Sequence, residues 1–146
     1  MELTLQTEEL TKTYPGQRQP AVRGLWLSIP RGILFGLVGP DGAGKTTTLR
    51  LLSSVMLPSS GKVNVLGFDT RRQPDPIRQQ IGYMPPNFSL YPDLSVLENL
   101  NFFADIQRVP AARKRTRIPE MLRFTRLEDF QSRRAAKLSG GMKKKL

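Results

Sequence analysis

Neither cysteine nor histidine occurs anywhere in the 146 residues. The first absence excludes disulfides, thiolate zinc sites and a cysteine nucleophile. The second removes the imidazole that most often serves as a general base near neutral pH. No apolar stretch approaches the roughly 20 residues needed to span a bilayer. The N-terminus, MELTLQTEEL, is acidic and alternating, unlike the basic-then-apolar order of a signal peptide. A single cytosolic domain's worth of chain is expected, brought to a membrane only by a partner.

Acidic residues are scarce in one part only. The net charge is +11, but residues 1–107 carry 10 Lys/Arg against 9 Asp/Glu. Residues 108–145 carry 13 against 3. The imbalance is local and sits on helical sequence without the interleaved aromatics of single-strand binders. Solvated helix faces explain it, and no nucleic-acid partner is expected.

What the chain does have is GPDGAGKTT at 39–47, which fits the phosphate-loop pattern G-x-x-x-x-G-K-[S/T]. An apolar run, Ile33 to Val38, precedes it and predicts a strand. Helical sequence follows, predicting a helix over 45–56. Gly39, Gly42 and Gly44 let backbone N–H groups turn toward phosphate oxygens, and the helix N-terminus adds its positive end. In this pattern Lys45 meets the β- and γ-phosphates and the Thr46 hydroxyl ligates Mg²⁺.

Residues 3–38 alternate in short apolar runs broken by Tyr14-Pro15-Gly16 and Pro30-Arg31-Gly32, predicting a small β layer that feeds the phosphate-loop strand. Lys62–Gly67 reads as a further strand, and Pro74 and Pro76 as brackets of a loop. From Pro92 the pattern turns helical. Ser95-Val96-Leu97-Glu98 is a capping-box signature. Val96, Leu97, Leu100, Phe103 and Ile106 then share one apolar face until Pro110. Phe102 and Phe103 read as core packing. A second, basic helix follows, with Pro119 interrupting its pattern.

Three strings carry a resemblance. Leu138-Ser139-Gly140-Gly141-Met142 looks like the signature loop of ABC transporter nucleotide-binding domains. Tyr14 stands where that family places an adenine-stacking aromatic, and Ile81-Gly82-Tyr83-Met84-Pro85 looks like the approach to its glutamine loop. The likeness runs from Thr7 to the last residue, and GLVGPDGAGKTT with LYPDLSVLENLNFFAD is most similar to the ATP-binding subunits of ABC-2-type drug exporters. It implies an α/β P-loop NTPase fold with a small antiparallel β layer, a helical subdomain and an incomplete core sheet. Residues 1–87 would hold the β layer and phosphate-loop core, 88–137 the helical subdomain, and 138–146 the signature loop with the start of a helix.

The resemblance also implies ATP and Mg²⁺ as ligands. Tyr14, Val22, Gly39, Pro40, Asp41, Gly42, Ala43, Gly44, Lys45, Thr46 and Thr47 would contact nucleotide on one side. Ser139, Gly140 and Gly141 would act in trans on a second, head-to-tail nucleotide-binding domain. Membrane-spanning permease subunits would hold the protein at the inner face of the cell membrane.

Departures from the family pattern bear on catalysis. The family's strand ending in Asp-Glu and its switch histidine are not present in these residues. The glutamine expected after Met84-Pro85 is Pro86, which offers neither an amide oxygen nor an amide nitrogen. Lys144 replaces a usual glutamine, and Asp41 a usual Asn or Ser. The missing C-terminal third is expected of a decaying gene or of a fragment, and the chain alone is expected not to hydrolyse ATP. Rival readings are a non-transport ABC ATPase acting on DNA or ribosomes, and a nucleotide-binding remnant without catalysis.

Overall fold

A computed structural model describes residues 2–87 and 89–146. Met1 and Phe88, the expected first residue of the helical segment, lie outside the described residues. The chain divides into two compact units, residues 1–84 and 85–146.

The first unit is built on β1 (Leu3–Lys12), the longest strand. It pairs antiparallel with β2 (Val22–Pro30) on one side and β3 (Ser60–Val65) on the other, and β4 (Phe68–Asp69) closes the order β2-β1-β3-β4. Thr7 sits opposite Leu27 on one neighbour and Val63 on the other. Leu66 and Gly67 join β3 to β4 with φ of 54° and 85°. Two consecutive positive φ values make the tight turn whose twist matches a hairpin. β4 was not expected, because two residues carry no readable period.

Helix α1 (Lys45–Leu52) buries Leu51 against this sheet, and α2 (Pro74–Gln80) buries Ile77. With Leu10, Val22, Val63 and Val65 they form the unit's core. Each fully buried leucine or isoleucine contributes about 1.5–3 kcal/mol. The helix expected over 45–56 ends at Leu52, because Ser54 turns left-handed at φ 57°. Pro74 and Pro76 do not bracket a loop. Pro74 opens α2 at its first turn, where its missing N–H is not needed and its fixed φ already suits the helix.

The strand expected over Ile33–Val38 is also corrected. Residues 33–40 form neither strand nor helix. A continuous apolar run suits a strand covered on both faces, and among the described residues no strand lies beside it. Leu34 is fully exposed and Val38 91% exposed.

The second unit packs α3 (Val96–Ile106), α4 (Ala111–Thr125) and the short α5 (Gly140–Lys145). The capping box is present: Ser95 Oγ accepts from the Glu98 N–H, and the Glu98 carboxylate accepts from the Ser95 N–H at 2.7 Å. Glu98 is held below the usual carboxylate range, first by the Ser95 backbone N–H and then by its hydroxyl. The apolar face is narrower than its spacing predicts. Val96 is buried and Leu100 half-buried, but Leu97 and Ile106 are exposed.

Asn99 takes the central place instead. Its side chain accepts from the Tyr91 N–H at 2.8 Å and donates to the carbonyls of Tyr91, Leu94 and Ser95. Phe102 and Phe103 stack edge-on with centroids 5.6 Å apart, and Tyr91 meets Phe102 at 4.5 Å. α4 runs through Pro119 rather than stopping there. The proline removes one hydrogen bond to the carbonyl four residues back, while Ile118 and Leu122 on the buried side hold the helix together.

Candidate functional site

Thr47 and Thr48, in the first turn of α1, are buried, and the helix start above them carries no acidic side chain. No carboxylate within that first turn offsets the positive end of α1. Gly44 caps the helix at φ 84°, and a Cβ there would stand 2.2 Å from the Ala21 carbonyl oxygen and 3.2 Å from Val22 Cγ2. Only glycine fits this position. The contact seats the loop on the start of β2, so Val22 acts from beneath the loop. Gly42 is also left-handed, at φ 81°.

The loop is tied internally. Lys45 Nζ donates to the Gly39 and Pro40 carbonyls, both at 2.7 Å, and the Ala43 N–H donates to the Pro40 carbonyl. The lysine thus spans the loop mouth from within, where phosphate oxygens could compete for its protons. Asp41 and Thr46 are exposed. A cleft of about 330 Å³ opens beside the loop, lined by Ala21, Val22, Gly42, Ala43, Lys45 and Thr48 among others.

Tyr14 lies in the turn after β1, half-buried, with its hydroxyl 3.1 Å from Thr47 Oγ1. Lys12 Nζ stands over its ring, 5.9 Å from the centroid. Arg50, one turn further along α1, lies by the Tyr83 and Tyr14 hydroxyls. Their oxygens favour its charged form and raise its pKa above the usual arginine value.

Thr46 offers one hard oxygen, and among the described residues no group of three Asp, Glu, His or Cys side chains could hold a metal unaided. That suits an ion that keeps several waters and binds together with substrate phosphates. A nucleotide would bring it.

In the second unit Ser139 caps α5, its hydroxyl accepting from the Met142 N–H at 3.2 Å. Leu138 is buried and anchors the loop, while Gly140 and Gly141 are exposed. A Cβ on either glycine would meet nothing within 4 Å. Their smallness is not used by packing inside this chain. The expected site residues therefore fall in two sets, Tyr14 to Thr47 in the first unit and Ser139 to Gly141 in the second. Sequence reasoning missed Ala21, Lys12 and Arg50, which have no motif and are placed only by contacts across the chain.

Together the left-handed loop, its capped helix and the α/β frame define a P-loop nucleotide-binding fold of the ABC type. The ABC transporter family profile matches residues 22–146, and the chain belongs to that family. Among its relatives, the Probable multidrug ABC transporter ATP-binding protein YbhF of Escherichia coli (strain K12) is 47% identical over 94% of this chain and 24% of its own length. The daunorubicin/doxorubicin resistance ATP-binding protein DrrA of Streptomyces peucetius is 37% identical over 97% of this chain and 42% of its own. A dimeric ATP-binding cassette in a post-hydrolysis state, bound to ADP and Pi, superposes with a TM-score of 0.83 at 28% identity, over 97% of this chain and 66% of that one. The chain spans less than half the length of these two curated relatives. Among the described residues no helix is long and apolar enough to cross a membrane.

Proposed function

We propose that this chain is the nucleotide-binding part of an ABC-type exporter, coupling ATP binding and hydrolysis to efflux through membrane-spanning partners. The observation that carries this is the seating of Gly44 on Ala21 and Val22, which fixes the loop at the start of α1 with Lys45 bonded across it. Gly39, Gly42, Ala43 and Gly44 supply loop amides, Lys45 a charge-assisted contact to phosphate, Thr46 a ligand to Mg²⁺, and Thr47 a hydroxyl. Tyr14 supplies the face on which the base stacks. Ser139, Gly140 and Gly141 serve a second copy's nucleotide in a head-to-tail dimer. The open space around the two glycines supports that reading, since backbone approach is what glycine permits.

Drug efflux is the substrate class favoured by the relatives, two of which are named for multidrug export and drug resistance. The protein then works at the cytoplasmic face of the membrane, held there by permease subunits. Efflux of a fluorescent drug from cells tests this. Deleting the gene should raise intracellular dye, and the wild-type gene should restore export where Lys45→Ala does not. Equal restoration by both would contradict an ATP-driven role.

A further inference from the structure

The base platform has a feature that stacking alone does not need. Tyr14 is a tyrosine whose hydroxyl is engaged, 3.1 Å from Thr47 Oγ1, on the helix that begins at the phosphate loop. A hydroxyl both donates and accepts. Thr47 can therefore hold Tyr14 and still offer its second function to a phosphate oxygen. Lys12, itself fixed by donating to the Leu57 carbonyl at 2.7 Å, has its ammonium 5.9 Å from the centre of the ring.

We propose that the Tyr14 hydroxyl, held by Thr47, is a positioning group that fixes the tilt of the base platform relative to the phosphate loop. The inference rests on the nucleotide-binding reading and deepens it. Base and phosphate contacts become linked through a single side-chain bond from platform to helix. A free aromatic ring would tolerate phenylalanine, whereas a tethered one does not.

The test compares Mg·ATP with Mg·tripolyphosphate, which shares the phosphates and lacks the base. Both are titrated into the wild-type protein and Tyr14→Phe. The variant should weaken ATP about three- to tenfold, the factor carried by one neutral hydrogen bond, and leave tripolyphosphate unchanged. Unchanged ATP affinity in Tyr14→Phe would overturn the proposal while leaving the stacking ring intact. Equal losses for both ligands would overturn it too, showing a structural effect on the loop. If the wild-type protein binds neither ligand, it is the nucleotide reading beneath that has failed.

Discussion

Gly44 is where a single residue governs the site. Its φ of 84° and the 2.2 Å approach of the Ala21 carbonyl leave no room for a side chain. Gly44→Ala should destabilise the first unit by about 1–3 kcal/mol, the range for strained backbone, and abolish nucleotide binding. Thermal unfolding with a parallel ATP titration checks both, and a Gly44→Ala protein that binds normally would show the loop free to reseat. The phosphate loop was legible because its glycines and lysine carry their chemistry in residue type and spacing. Arg50 and Ala21 were not, because a generic arginine and a backbone carbonyl gain meaning only from what the chain brings against them.

Among the elements, α3 is the best specified. Ser95 and Glu98 announce its start in sequence, and the structure has both reciprocal bonds. Because the folded carboxyl of Glu98 is held below its ordinary range, its contribution is present above that range. It is lost as pH falls through the lowered folded value. A pH series of thermal melts should therefore show wild type losing stability relative to Glu98→Gln on acidification, the gap closing once both are uncharged. A gap independent of pH would mean that the cap does not depend on charge. Asn99→Ala should cost on the order of 2–3 kcal/mol, since it strands the Tyr91 N–H and several carbonyls in a buried place. Chemical denaturation of the variant measures this. The apolar period of α3 concealed that role, because a polar residue on a helix is read as an exposed one. The segment 33–38 failed in the opposite way. Its apolar run resembles a buried strand, yet burial depends on neighbours that a local pattern cannot supply.

For the whole molecule, charge and apolar exposure set the behaviour of residues 1–146 in solution. Trp26, Ile33, Leu34, Phe35 and Val38 are all exposed in the first unit, at 46% or more. Exposed apolar surface of this kind favours association. The isolated chain should bind a hydrophobic dye and self-associate, and a monodisperse monomer with a sharp cooperative melt would contradict this. The same chain should release phosphate from ATP negligibly over hours, with Lys45→Ala as the contamination control. Among the described residues no group of three Asp, Glu, His or Cys side chains could hold a metal ion, and Pro86 offers no amide. Robust turnover lost in that control would show that another group activates the water. What the whole molecule binds is the claim on which the rest depends, and calorimetric titration of Mg·ATP into wild type and Lys45→Ala tests it most directly. The account predicts saturable binding to wild type, weakened in the variant by about 1.5–3 kcal/mol, the worth of a charge-assisted contact. Equal binding to both proteins would contradict it.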